Sequence, residues 1–319
     1  MLGVLFACGG KKQKVYEDAP AGSASASVGS GSAKPGAGSG SVQVAAAFDK
    51  KCTAGDLEAC RNLGVMYAEG VGMTKDLARA ATLYTKACDG GLFAGCNHLG
   101  LMYSEGLGVT RDPTTAVAVY QKGCDGGHGL ACRNLGLMLR DGHGVDKDLV
   151  RAALVLDQAC NADAPFACTN AGDLDRMQAG AKPQAQRVPL LKKMIDHYKR
   201  GCDSGDPTGC RQIGLAYLNG AGLPKSPVAA SVWFERGCAK DDPIACRVIG
   251  MMKIDGVGVA RDVDRGTQQL QRACDRKDDQ ACKALAVVTT ASNMTPAMTP
   301  AGDAGVIATD AAGSGSLKP

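Results

Sequence analysis

Aromatic residues make up only 4% of this 319-residue chain, with one Trp, five Phe and seven Tyr. A single large core built on rings is thereby excluded, and small residues must do most of the packing. No apolar run approaches the roughly 18 residues that a membrane-crossing helix needs, so only an acyl chain could hold the protein to a membrane. The four histidines, at 98, 128, 143 and 197, follow no common spacing, and no C-x2-C knuckle occurs. Neither a metal nor any other cofactor is expected. Basic residues do not cluster either: the net charge of +4 comes from 36 basic and 32 acidic residues dispersed along the chain, which argues against a nucleic-acid partner.

What the chain has instead is cysteine at regular places. Of 15 cysteines, Cys8 stands alone and the rest form seven pairs, each separated by eight positions: Cys52 and Cys60, Cys88 and Cys96, Cys124 and Cys132, Cys160 and Cys168, Cys202 and Cys210, Cys238 and Cys246, and Cys274 and Cys282. The first members of successive pairs step by 36, except from Cys160 to Cys202, where the step is 42. A period in this range is the mark of a solenoid, here with six residues inserted in the fourth unit. On one continuous helix two residues eight apart would lie about 12 Å apart along the axis, too far for a disulfide. The chain must therefore reverse between paired cysteines, and Asp89-Gly90-Gly91, Asp125-Gly126-Gly127 and Asp203-Ser204-Gly205 supply the reversal. Seven local bridges are expected, each worth about 2.5 kcal/mol in the chain-entropy model. They imply an oxidising compartment.

Each unit reads as two helices. Asp56, Asp206, Asp242 and Asp278 cap the first, with Pro207 and Pro243 at the first helical position, while Asp76, Asp112, Asp148, Ser226 and Asp262 cap the second. Recurrent Gly-x-Gly segments, such as Gly70-Val71-Gly72 and Gly142-His143-Gly144, end the first helix and turn the chain. Gly180-Ala181-Lys182-Pro183 replaces that turn in the fourth unit. Leu63, Tyr67, Leu83, Tyr84, Trp233 and Phe234 are assigned to packing, and Ser104 and Ser231 to the surface.

At the ends the composition changes. Residues 9–42 are dominated by Ala, Gly, Ser and Pro and read as a flexible tether, and residues 289–319 carry a similar bias and read as a disordered tail. The solenoid is assigned to 43–288. Leu5-Phe6-Ala7-Cys8-Gly9 resembles a bacterial lipobox within a signal at residues 1–8, with Cys8 as the lipidated residue. Because Met1–Ala7 is short and lacks a basic region, a start upstream is expected. Lipidation of Cys8 would leave an even number of cysteines.

Asn62-Leu63-Gly64-Val65-Met66-Tyr67, Glu69-Gly70-Val71-Gly72, Ala80-Ala81 and Lys86-Ala87-Cys88, with their second copies from Leu99 to Gly127, resemble Sel1-like repeats. These are relatives of the tetratricopeptide repeat, and the cysteines match the secreted subgroup typified by the Helicobacter cysteine-rich proteins. The resemblance implies an all-α, right-handed superhelix whose first helices line a concave face, with peptide or protein ligands, a monomer, and a place in the bacterial envelope or outside the cell. It also implies an alternative, β-lactam binding or hydrolysis, but the chain has no S-x-x-K, K-T-G, G-x-S-x-G or H-E-x-x-H. No catalytic residue is assigned.

By the same resemblance two columns after the second cysteine of each unit face the concave groove. The first runs Arg61, Asn97, Arg133, Thr169, Arg211, Arg247 and Lys283, and the second Asn62, His98, Asn134, Asn170, Gln212, Val248 and Ala284. The ligand-binding set expected is Arg61, Asn62, Asn97, His98, Arg133, Asn134, Asn170, Arg211, Gln212 and Arg247, with amides for a peptide backbone and cations for carboxylates. A solvated face that repeats only because the unit was duplicated accounts for the columns equally well.

Overall fold

The computed structural model describes residues 39–294, and Cys8, most of the tether and most of the C-terminal tail lie outside the described residues. Among them the chain is entirely helical. Helix α1 spans Ser39–Thr53, and six helix pairs follow. In each pair the first helix is called A and the second B: α2 (Leu57–Glu69) with α3 (Leu77–Asp89), α4 (Phe93–Glu105) with α5 (Pro113–Asp125), α6 (Gly129–Asp141) with α7 (Leu149–Asn161), α8 (Ala167–Gly180) with α9 (Gln184–Asp203), α10 (Pro207–Asn219) with α11 (Pro227–Ala239), and α12 (Pro243–Asp255) with α13 (Val263–Asp275). Helix α14 (Asp279–Met294) closes the array.

The local rules act as read. Asp56 accepts from Ala59 N at 3.0 Å, Asp76 from Arg79 N at 2.9 Å and Ser226 from Ala229 N at 3.1 Å, each cap being worth about 1 kcal/mol. Gly70, Gly106, Gly142, Gly220 and Gly256 end their A-helices in the left-handed conformation. The second glycine of each turn has a different role. A Cβ on Gly108 would collide with the backbone of Leu77, and one on Gly144 with the backbone of Pro113. These turns, and that of Gly258 on Pro227, are thus seated on the start of the preceding unit's B-helix, whereas Gly222 sits on Leu191, farther along the lengthened α9.

Pairing within a unit explains how so few aromatics suffice. Tyr84 lies on Gly64, Tyr120 on Gly100, Leu156 on Gly136, Tyr198 on Gly172 and Phe234 on Gly214, each ring or branch filling the space a Cβ would need. All five large side chains are buried, and alanines such as Ala80, Ala116 and Ala152, each 0% exposed, complete the layer.

All seven expected bridges are present. Cys52 is joined to Cys60, Cys88 to Cys96, Cys124 to Cys132 and Cys160 to Cys168 in the first half of the array, with Cα–Cα distances between 4.4 and 4.6 Å. Cys202 is joined to Cys210, Cys238 to Cys246 and Cys274 to Cys282 in the second, at 4.5 to 4.7 Å. In every case the first cysteine lies in the last turn of a B-helix, or of α1, and the second near the start of the next A-helix. The bridge therefore pins one unit to the next across the short reversal.

Three features differ from the sequence reading. The boundaries at 42/43 and 288/289 fall inside α1 and α14, which begin at Ser39 and end at Met294. The first of these follows from packing: Gly72 sits against Ser41 as Gly108 sits against Leu77, so α1 acts as the B-helix of a half-unit. Second, the insertion does not enlarge the turn. It lengthens α9 to 20 residues, against 13 in the other B-helices, and residues 184–189 of its N-terminal end are exposed. Third, Ser231 is buried, not superficial, because it faces the next unit's turn and donates to Val228 O at 2.8 Å and Gly258 O at 3.5 Å.

Candidate ligand face and the fourth repeat

Neighbouring A-helices approach one another directly, α4 with α6, α6 with α8, α8 with α10 and α12 with α14, whereas among the described residues no two B-helices come as close. The A-helices therefore lie on the inner side of the array. The two columns on them divide between open and buried positions. Asn62, His98, Asn134, Asn170 and Gln212 are half-buried and lie beside a row of half-buried apolar residues one turn on, Val65, Leu101, Leu137, Leu215 and Met251. In the first column Asn97, Arg133 and Thr169 are 8%, 7% and 3% exposed, and Arg61, Arg211 and Arg247 are half-buried.

Part of the cationic column is engaged within the protein. Arg211 meets Asp242 at 2.6 Å and Arg247 meets Asp278 at 3.1 Å, in both cases the residue that caps the following A-helix. Arg61 donates to its neighbour Asn62 at 3.1 Å, and Asn134 donates to Asn97 at 2.9 Å. His98 stacks on Tyr84 with ring centroids 4.7 Å apart. Burial, assisted by Arg61 and His128, lowers its pKa from 6.5 to about 4, so the ring is neutral at ordinary pH.

Several polar atoms on this inner side are buried without a hydrogen-bond partner among the described residues: Arg61 Nε, His98 Nε2, Arg133 Nε, Thr169 Oγ1, Asn170 Nδ2 and Asp206 Oδ2. Each such group costs about 1–3 kcal/mol. Four of the six lie between α6 and α10.

A second group, around the fourth unit, had no counterpart in the repeat pattern. His197 on α9 bonds Asp175 of α8 at 2.7 Å through Nδ1 and forms an ion pair with Asp157 of α7, whose Oδ1 lies 3.1 Å from Nε2, while Lys193 meets Asp157 at 2.8 Å. Burial disfavours the charged imidazole, but the two carboxylates outweigh it and raise the pKa from 6.5 to about 9. Asp157 is desolvated too, yet His197 and Lys193 hold its carboxyl below the usual range. Beside them Tyr198 donates to Asp173 at 2.8 Å. The only sequence signal for this group was the six-residue insertion.

Among the described residues no three His, Cys, Asp or Glu side chains are placed to hold a metal ion. Ser104 bonds Glu105 at 3.4 Å, and Ser231 bonds main-chain carbonyls, so neither is activated by a histidine or lysine.

These features define an α-solenoid of disulfide-pinned helix pairs. Residues 57–92, 94–128, 129–163, 207–242 and 243–278 match the Sel1 repeat, more than half of the chain, and the protein belongs to the Sel1 repeat family. The gap in the match is the fourth unit, where α9 is long. Among solved structures, c5321, a protective antigen present in uropathogenic Escherichia coli strains and displaying an SLR fold, is 23% identical with a TM-score of 0.69, covering 78% of this chain and 52% of its own. The protein thus spans about half the length of that relative. The Sel1 repeat protein from Oxalobacter formigenes is 21% identical with a TM-score of 0.59, covering 72% of this chain and 96% of its own. Helicobacter pylori cysteine rich protein B is 23% identical, covering 44% of this chain and 96% of its own with a TM-score of 0.35. At these identities the likeness to the first two speaks for the fold alone. No curated protein matches the chain.

Proposed function

We propose that this Sel1 repeat scaffold is an exported protein, lipid-anchored through Cys8 in the bacterial envelope, that binds an extended peptide or a protein segment along its A-helices. Sel1 repeat proteins generally mediate protein–protein interactions. The observation that carries the reading is the recurrence of half-buried amide or imidazole groups at Asn62, His98, Asn134, Asn170 and Gln212 beside an apolar row. A peptide main chain needs alternating donors and acceptors, and side-chain amides supply both. Seven disulfides support an oxidising compartment.

Panning a random dodecapeptide library on the oxidised full-length protein tests the binding half. Enriched peptides should lose at least about tenfold in affinity when Asn62, Asn134 and Gln212 are changed to Ala, about 1.4 kcal/mol. Replacing exposed B-helix residues Val150 and Leu154 should leave binding intact. Unchanged affinity in the A-helix variant sinks the reading, and turnover of a chromogenic cephalosporin would put the hydrolase alternative in its place. Labelling with radioactive palmitate, lost on Cys8→Ala, tests the anchor.

A further inference from the structure

The later units share a clamp in which an A-helix arginine holds the aspartate that caps the next A-helix: Arg211 with Asp242, Arg247 with Asp278. Across the fourth unit this clamp is broken on both sides. Arg133 occupies the arginine position of the third unit, but the cap position it should meet is Ala164, and α8 starts late, after Phe166. Asp206 caps α10, but the arginine position that should meet it is Thr169, whose Oγ1 packs against Gly201 and makes no hydrogen bond among the described residues.

Half of one ion pair and half of another are therefore left in the same neighbourhood. Arg133 and Asp206 are 7% and 5% exposed, and the Asp206 carboxylate is near enough to act electrostatically on the guanidinium. Yet no hydrogen bond joins them, and Arg133 Nε and Asp206 Oδ2 both lack a partner. Asn170 Nδ2, on α8 between them, lacks one too. Phe166 borders the group. It is a non-glycine residue held at φ 61°, 42% exposed, with the Arg133 guanidinium 5.8 Å from its ring centre. A left-handed conformation on a phenylalanine is a backbone cost.

We infer that Arg133, Asn170, Asp206 and Phe166 form a subsite for the carboxylate-bearing end of a peptide: the carboxylate on Arg133 and Asn170, the neighbouring amide N–H on Asp206, and the flank of the chain on Phe166. The ligand would stand where the missing aspartate and the missing arginine stand in the later units. It would supply an acceptor to one orphan and a donor to the other. This inference rests on the peptide-binding reading and narrows it to one position and one ligand end.

The test uses the oxidised full-length protein and two probes, N-acetyl-glycylglycine with a free carboxylate and the same molecule as its carboxamide. Binding is read by NMR at the backbone amides of Phe166–Asn170. The free acid should give a saturable shift at least about tenfold tighter than the carboxamide. Arg133→Gln should remove that preference, and so should Thr169→Arg, which restores the clamp to Asp206, while Arg247→Gln should keep it. A melting measurement adds an independent readout: Thr169→Arg should raise Tm, because it gives the buried Asp206 carboxylate the guanidinium partner that Asp242 and Asp278 have. Equal affinity for the two probes, no shift at these amides, or full binding by Arg133→Gln overturns the inference. If library peptides still bind the A-helix face in that event, the subsite alone has failed. Loss of all peptide binding would remove the broader reading as well.

Discussion

The guanidinium of Arg211 lies 2.6 Å from the carboxylate of Asp242, which at the same time accepts the Ala245 N–H at the start of the next A-helix. One carboxylate thus ends one unit's ion pair and begins the next unit's helix, so local capping and stacking of units are coupled through it. Because Asp242 is 4% exposed, removing the arginine leaves a buried charge with only its cap bond. Arg211→Met should cost about 2–4 kcal/mol, less than a fully buried pair because the cap survives. Urea unfolding of the single variants and of Arg211→Met/Asp242→Asn measures this. The double variant should recover part of the loss, and strict additivity would show the pair to be uncoupled.

Gly127 and Gly144 separate backbone freedom from close approach. Both adopt positive φ, 84° and 73°, but a Cβ at Gly127 would meet nothing within 4 Å, whereas one at Gly144 would strike the Pro113 backbone. Ala at Gly127 should cost about 1 kcal/mol of conformational strain. At Gly144 the same strain is joined by about 1–3 kcal/mol from displacing a neighbouring unit. Thermal unfolding of the two variants gives the difference directly, and equal losses would mean that the turn is not seated on the preceding B-helix.

Much of this was legible because it is local. An aspartate four residues before a cysteine, as Asp56 before Cys60, a glycine after the last apolar turn and a cysteine pair across a Gly-Gly reversal each act within one unit, and repetition reinforced them. The clamps were not legible. Arg211 and Asp242 are 31 positions apart, and they meet only once the stack has set the distance between units. A column of basic residues looked like a ligand face for the same reason: the sequence repeats the arginines without showing which of them finds an internal partner. The start of α1 was hidden because Ser39, Gly40 and Ser41 have the composition of the tether, and the seat of Gly72 on Ser41 reveals its register.

His98 should limit stability in acid. Its pKa in the folded protein is about 4, below the ordinary 6.5, so as pH falls from about 6.5 the unfolded chain takes up a proton that the folded chain refuses. Stability should decline between those values and level off below about 4. His98→Phe keeps a ring against Tyr84 and removes the titration. Its urea midpoint should be flatter across this range, and an unchanged slope would refute the assignment.

His197 acts in the opposite direction. Its folded pKa of about 9 exceeds the ordinary 6.5, so the folded protein retains a proton that the unfolded chain has lost. The stabilisation is complete below about 6.5 and disappears as pH rises through about 9. The groups that face the ring are Asp157 on α7, Asp175 on α8 and Lys193 on α9. When the imidazole loses its charge, Lys193 alone must balance two carboxylates. The fourth unit, already without the turn and the clamps of its neighbours, should then loosen before the rest. Amide hydrogen exchange at matched intrinsic rates should show α8 and α9 losing protection between about pH 7 and about pH 9.5 while α12 and α13 keep theirs. His197→Gln, which preserves hydrogen bonding without the charge, should expose α8 and α9 already at neutral pH and abolish the pH dependence. Uniform loss of protection along the whole array would show that the cluster has no local part in holding the unit together.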